Sequence, residues 1–504
     1  MAKMHFKSVL IANRGEIAVR IIRTLRELGI KSIAVYADSD HDSLHRQLAD
    51  FAIRLPGRTS AETYLNIPAL KDAINLSQAD AVHPGYGFLS ENSEFVEEVT
   101  NLGCKFIGPS AEAMRTLGDK VAAKNLMVKH KIPITPGSDG GLDSLTELKQ
   151  LTKKMGYPLI LKAAAGGGGR GMQIVKQPNE LANAFETCSR EALQYFGNPM
   201  VFAERYIENP RHIEVQVLCD SHGNGVHLNE RDCSVQRRHQ KLIEEAPSAY
   251  LDDEKRQDLG RIAVKAALAA GYEGAGTVEF ICESPDQIYF MEMNTRIQVE
   301  HTVTEEISRV DLIREQILVA SGEQLAMNQK ELKPQGWSIE CRINAENPLA
   351  DFAPGPGKIT KLKLPIGPFT RVDTHIYEGY EIPSEFDSMI AKLIVWAPNR
   401  EQAILRTKRA LRELIIEGVP TTARFHEAVM DSSDFRSGEF NTGFINKNID
   451  DLSKHMNSAH GHESDGLALI AAVKVQDKYR NRSVPKGYSR SRWELAARRD
   501  MVHN

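Results

Sequence analysis

The chain has 504 residues, 41% hydrophobic and 26% charged, the balance of an ordinary globular protein built from several domains. Its 63 Lys and Arg stand against 67 Asp and Glu, and a formal charge of −4 lacks the basic surplus of a dedicated nucleic-acid binder. No apolar run reaches the roughly 20 residues that span a bilayer, and the opening residues offer no signal-peptide core. Six cysteines are scattered without a C-x-x-C pair. A disulfide scaffold or structural zinc site is therefore not expected, and reduced thiols in a cytoplasmic protein are.

In chain order, Val9-Leu-Ile-Ala reads as a short buried strand, followed by a polar turn at Asn13-Arg14-Gly15. Ile17, Val19, Ile21, Ile22 and Leu25 to Leu28 are spaced for a helix that Gly29 closes. Ser32 to Tyr36 and Ala79 to His83 read as further strands. Strands alternating with helices predict a parallel sheet covered on both faces, a doubly wound α/β domain. The turn after the first strand lacks G-x-G-x-x-G, so no dinucleotide fingerprint is present.

Gly108-Pro109-Ser110 marks a first domain boundary, and Pro334-Gln-Gly336 a second. From Arg400 to Glu417 apolar residues recur at helical spacing. After about Asp450 this periodicity is lost. Lys474 to Asn504 then carries nine basic against three acidic residues, with Tyr479, Tyr488 and Trp493 among them. That tail reads either as a solvated, disordered end or as a partner-docking segment.

The chemistry concentrates between the two boundaries. Leu159 to Lys162 reads as a strand, Gly166 to Gly169 as a glycine run, and Gln173-Ile-Val as a second strand. Such a run can wrap an anion with successive N–H groups or serve as a hinge, with Lys162 as a nearby point charge. A flexible hairpin tip is the alternative. The pattern is not a P-loop. Gly276 to Ile281 and Ile288 to Asn294 read as a hairpin that sets Glu279 nearly opposite Glu292, with Asn294 on the face of Glu292. Facing carboxylates are unfavourable unless a positive charge lies between them. Two carboxylates and an amide oxygen are hard ligands suited to Mg²⁺. Continued alternation would place Arg296, Gln298 and Glu300 on one side, as a structural salt bridge or as an anion site with a general base. Glu230 to Lys241 packs seven charged or imidazole side chains into twelve positions. It is either a solvated face or a phosphate or bicarbonate clamp. Met200 to Ile207 reads as an apolar strand, in the core or along an adenine edge.

With these residues in view, the chain resembles biotin carboxylase, of the ATP-grasp family, from about Phe6 to about Asn448. The likeness rests on Ile11-Ala-Asn-Arg-Gly-Glu-Ile-Ala, on His83 to Asn92, on the glycine loop and on Glu230 to Lys241. Met291 to His301 and Glu340-Cys-Arg-Ile-Asn-Ala-Glu346 complete it. The resemblance implies an α/β domain over residues 1–115 and an ATP-grasp domain over 116–333 with a glycine-rich lid at about 134–206. A C-terminal α+β domain over 334–450 would follow, then the tail, 451–504.

It also implies ATP- and bicarbonate-dependent carboxylation of biotin held on a separate biotin carboxyl carrier protein. The partners would be that carrier, a carboxyltransferase as in acetyl-CoA carboxylase, and a second copy in a homodimer. Lys120, Lys162, Gly168, Gly169, Glu204, Arg205, Tyr206, Ile207, His212, Gln236 and His239 match ATP contacts, joined by Glu279 and Glu292. Glu279, Glu292 and Asn294 match ligands of two Mg²⁺ or Mn²⁺ ions. Lys241, Arg296, Gln298, Val299, Glu300 and Arg342 match the bicarbonate and biotin site, with Lys241, Arg296, Glu300 and Arg342 catalytic. Ala165 replaces a frequent glycine, Thr302 a frequent proline and Arg205 a frequent lysine. The alternatives are another ATP-grasp ligase that forms an acyl phosphate, or a non-catalytic assembly subunit.

Overall fold

The computed structural model describes residues 6–138, 140–142, 144–163 and 172–458. Residues 1–449 form one compact unit, and a second begins at Asp450, of which 450–458 are helical. The tail reading for 459–504 lies outside the described residues, as does the glycine run at 164–171.

The first sheet is parallel, as the alternation predicts. Its strands are β1 (Ser8–Ile11), β2 (Lys31–Ala37), β3 (Phe51–Leu55), β4 (Ala81–His83) and β5 (Lys105–Phe106), in the order β3-β2-β1-β4-β5. β1 lies at the centre, and alternation sends its side chains to opposite cores. Val9 and Ile11 pack with the helix Gly15–Glu27, while Leu10 meets Tyr64, Leu70 and Phe95 on the other face. The helix ends where Gly29 takes φ +72, a left-handed conformation that costs glycine little.

Ser110 and Asp119 then cap two successive helices, Ala111–Gly118 and Lys120–Lys129, each accepting a first-turn N–H. Beyond them, β6 (Leu159–Ala163), β7 (Met172–Val175) and β8 (Val201–Arg205) form a small antiparallel sheet with β6 in the middle. Leu148, Leu159, Leu161, Val175 and Val201 fill its core.

The largest sheet is antiparallel throughout. It comprises β9 (Arg211–Cys219), β10 (Gly225–Arg237), β11 (Gln240–Ala246), β12 (Gly274–Ser284), β13 (Gln287–Asn294), β14 (Trp337–Asn344), β15 (Thr370–Thr374) and β16 (Met389–Ala397). Their order is β13-β12-β9-β10-β11-β14-β16-β15. The boundary near Pro334 thus falls inside a continuous sheet, where β11 pairs with β14 through Ile243 and Cys341.

Two expectations are corrected. The strand does not run on from Asn294 to Glu300: β13 stops at Asn294, and a turn leads into the helix His301–Ser308. The Thr295 N–H goes to Glu91 Oε1 at 3.0 Å instead of to a ladder partner. Ile297 is fully buried in the core beneath β1, which draws the chain out of the sheet. The helix from Arg400 ends at Glu413, and Ile415–Glu417 pairs as a strand with Lys361–Lys363. Leu414 already has extended backbone, and the β-branched Ile415 and Ile416 suit the strand better than another turn of helix.

Candidate active site

The site is built on one row of residues crossing four strands. Arg231 on β10 stands opposite Glu214 on β9, Glu214 opposite Glu279 on β12, and Glu279 opposite Glu292 on β13. Three adjacent carboxylates would repel one another across the ladder without cations among them. Lys241 supplies one. Its ammonium reaches Glu214 Oε2 at 2.5 Å, Glu279 Oε1 at 2.9 Å and Glu300 Oε1 at 2.7 Å, using all three of its protons. Burial opposes the Lys241 charge, but the three carboxylates outweigh it and hold the ammonium well above its ordinary range.

Arg231 supplies the second cation, at 0% exposure. Its guanidinium donates to Glu214 Oε1 at 2.5 Å, Gln216 Oε1 at 2.8 Å, Thr304 Oγ1 at 2.9 Å, Thr277 Oγ1 at 3.1 Å and Gln298 Oε1 at 2.8 Å. Gln298, anchored this way, turns its amide nitrogen to Glu279 Oε1 at 2.6 Å. Asn294 donates to the same oxygen at 2.9 Å, and His212 Nε2 lies 3.0 Å from Glu279 Oε2. Burial would raise the Glu279 proton affinity, yet Lys241 and His212 depress it far below the carboxylate range. Glu292 opens onto the cavity, and desolvation together with the facing Glu279 charge pushes its carboxyl upward.

Arg342 on β14 closes the far end. Its Nη2 meets Glu300 Oε2 at 2.8 Å and its Nε meets Glu244 Oε1 at 2.6 Å. Glu300 is buried, but Lys241, Arg342 and Arg231 overcome that burial and hold it ionised. Arg296 sits at the rim, with Nη2 on Asn294 Oδ1 at 3.0 Å and Nε on Glu91 Oε2 at 2.9 Å. Gln298 and Glu300 are buried deeper, and all three line the same cavity.

The row opens into a cavity of about 1550 Å³ between the first helix-capped segment, the small sheet and the large sheet. Every described candidate lines it: Lys120, Lys162, Glu204, Arg205, Tyr206, Ile207, His212, Gln236, His239, Lys241, Glu279, Glu292, Asn294, Arg296, Gln298, Val299, Glu300 and Arg342. Gly168 and Gly169 lie outside the described residues. Arg205 directs its side chain to Glu283 and to Tyr289 Oη at 3.0 Å. The charge run from Glu230 to Lys241 is no solvated face in its first part. Glu230, Arg231 and Asp232 are buried, and the exposed part is Arg238 to Gln240, around a turn where Arg238 and His239 take positive φ.

Four residues that sequence reasoning passed over also carry the site. Glu214 and Arg231 hold Lys241 and Gln298, Glu244 holds Arg342, and Lys124 joins Lys162 on Glu204. The signal for Glu214 was present, since His212, Glu214 and Gln216 alternate with Ile213, Val215 and Val217.

Comparisons with known proteins identify the family. The family model described as "Biotin carboxylase, N-terminal domain" matches residues 5–114, "Carbamoyl-phosphate synthase L chain, ATP binding domain" matches 119–328, and "Biotin carboxylase C-terminal domain" matches 340–447. Biotin carboxylase 1 of Bacillus subtilis is 52% identical over 440 residues, 87% of this chain and 98% of that protein. The solved complex of Campylobacter jejuni biotin carboxylase with β-γ-ATP superposes with a TM-score of 0.85 at 50% identity, covering 88% of this chain and 99% of that one. The biotin carboxylase domain dimer of Hydrogenobacter thermophilus 2-oxoglutarate carboxylase, solved with MgADP, ADP and bicarbonate, also gives 0.85, at 46% identity over 89% and 99%. A three-part fold enclosing a lysine-rich cavity beside a carboxylate row is that of an ATP-grasp ligase. Within that class, the chain belongs to the biotin carboxylase family.

Proposed function

We propose that the cavity binds ATP at its Lys120, Lys162 and Glu204 end and bicarbonate at its Lys241, Glu300 and Arg342 end. The observation that carries this reading is Glu300, one oxygen on Lys241 and the other on Arg342, at the inner end of the carboxylate row. Bicarbonate is a weak nucleophile until its proton is removed, and Glu300 is the carboxylate placed to take it. As it stands, Glu300 is a poor base because two cations hold it ionised. An anion that draws Lys241 and Arg342 onto itself removes that restraint, so proton affinity rises when the substrate arrives.

Glu279, Glu292 and Asn294 would hold Mg²⁺ or Mn²⁺, as one or two ions. The donor set fits, for it is all oxygen, and Glu279 already draws Lys241 and His212 to compensate its charge. When bound, the metal neutralises phosphate oxygens. The chain's own groups do the rest. Bicarbonate oxygen attacks the γ-phosphorus, ADP leaves, and the proton passes to Glu300. The resulting carboxyphosphate divides into CO₂ and phosphate, and phosphate takes the ureido proton of biotin. Arg342 stabilises the ureido oxygen as charge develops there, and the nitrogen then attacks CO₂. Val299 stays in register because the fully buried Lys392 donates to its carbonyl at 2.8 Å.

This chain would act on biotin carried by a separate carrier protein, with a separate carboxyltransferase and a second copy of itself, in the cytoplasm. No helix among the described residues is long and apolar enough to cross a membrane. The acyl acceptor is set by the carboxyltransferase, as acetyl-CoA carboxylase or another enzyme of the kind. The purified chain is expected to cleave ATP only with bicarbonate, faster when free biotin is added, and to stop in EDTA until Mg²⁺ or Mn²⁺ is restored. Cleavage that is indifferent to EDTA would remove the metal assignment. Cleavage that is indifferent to both bicarbonate and biotin would favour a different ATP-grasp ligase.

A further inference from the structure

The nucleotide end of the cavity gathers three lysines, two of them on one buried carboxylate. Lys120 and Lys124 stand four residues apart on the helix Lys120–Lys129, hence on one face, and both open onto the cavity with Lys162 of β6. Lys162 Nζ lies 2.6 Å from Glu204 Oε2, and Lys124 takes the other oxygen, Oε1, of the same carboxylate. The Glu204 side chain is only 7% exposed. A carboxylate can accept from a cation on each oxygen, and Glu204 holds both lysines in this way. Burial, Lys162 and Lys120 together lower Lys124 to about 8.

The second cation on Glu204 has a use if the reading of the cavity as a nucleotide site holds. A lysine at the end of a strand beside the glycine run is placed to meet phosphate oxygens, but Lys162 is occupied by Glu204. Releasing it would strand a buried carboxylate, which is heavily penalised unless another cation remains. We propose that Lys124 is the resident counter-ion of Glu204, and that ATP binding transfers Lys162 from Glu204 to phosphate while Lys124 stays. Lys124 is thus a positioning residue. It touches no substrate and acts by making Lys162 available.

The test is MgATP affinity of the full chain by calorimetry, with steady-state kinetics alongside. Lys124→Met is expected to weaken MgATP about tenfold, as losing one partner of a buried ion pair allows. The loss should appear in the KM for ATP, with kcat within about twofold, since bound Lys162 is unaltered. Lys124→Arg should bind nearly as well as the parent. Lys124→Met combined with Glu204→Gln should regain most of the affinity, because no carboxylate is left to be stranded. Unchanged affinity in Lys124→Met would overturn the proposal. Equal weakness in the single and double variants would do so too, because removing the carboxylate would then bring no relief. Calorimetry reads this even if bicarbonate-dependent cleavage is never observed, so failure of the proposed reaction is distinguishable from failure of the ion-pair exchange. Thermal midpoints of the unliganded variants identify any simple loss of fold.

Discussion

Replacing Glu300 by glutamine is expected to abolish bicarbonate-dependent ATP cleavage and biotin carboxylation together, each by about 10²- to 10⁴-fold, the range for removing a general base. The amide is isosteric, so the loss would be chemical and not steric. Lys241 keeps Glu214 and Glu279, but the amide nitrogen turns a donor toward Lys241 or Arg342, so some fall in melting temperature is expected and is measured beside the activity. Arg342→Ala is expected to lower both activities, with carboxylation falling further than ATP cleavage, because Arg342 meets bicarbonate in the first step and the charge on biotin as well in the second. This variant leaves Glu244 buried without its cation. Glu244 is already raised to about 8 by burial, with Arg342 opposing, so losing Arg342 lets it take a proton and stay neutral inside the fold. The two rates are measured on the same preparation, as ADP release with bicarbonate alone and as carboxybiotin formed. Equal losses from Glu300→Gln and Arg342→Ala would contradict the division of roles.

Local pattern carried a great deal of this architecture. The apolar run at Val9 and the helix after Gly15 made the parallel sheet legible, because a strand buried on both faces reads as continuous hydrophobics. The Glu279–Glu292 pairing was also legible from the short turn, because the two register shifts between turn and pair, at Cys282/Ser284 and Glu279/Phe280, cancel. Alternation failed from Asn294 onward, where burial of Ile297 in another core outweighs strand continuation. That competition is tertiary, and nothing within the local sequence records it.

The missed residues divide in the same way. Glu214 and Lys124 sit at readable spacings, two residues from His212 on a strand and four from Lys120 on a helix. Their significance depends on Lys241 and Glu204, which arrive from elsewhere in the chain. Glu244 meets Arg342 across 98 residues through the β11–β14 pairing, and no periodicity foretells which strands become neighbours in a large antiparallel sheet. Arg231 lay inside a charge run that composition alone would leave in solvent. Its neighbours on β9 and β12, and the helix that brings Thr304, convert it into the most buried cation of the site.

Arg231 therefore carries the second large expected effect, and one that differs in kind from that of Glu300. Arg231→Leu removes the cation from Glu214, which is fully buried, and leaves Gln216, Thr277, Thr304 and Gln298 without a shared donor. Breaking one side of a buried pair costs about 3–5 kcal/mol, so the thermal midpoint should fall by on the order of 5 °C or more. Arg231→Lys distinguishes stability from positioning. Lysine restores the charge opposite Glu214 but has three donors where the guanidinium has five, and it lacks the planar fork that reaches Glu214 and Gln298 at once. The lysine variant should recover most of the melting temperature and yet turn over at least tenfold more slowly, because Gln298 is no longer held against Glu279. Differential scanning calorimetry and bicarbonate-dependent ATP cleavage on both variants read the two effects separately. Full recovery of turnover with lysine would reduce Arg231 to a structural charge. Turnover that stays low while the fold is regained would show that the carboxylate row needs its hub in place as well as its charge balanced.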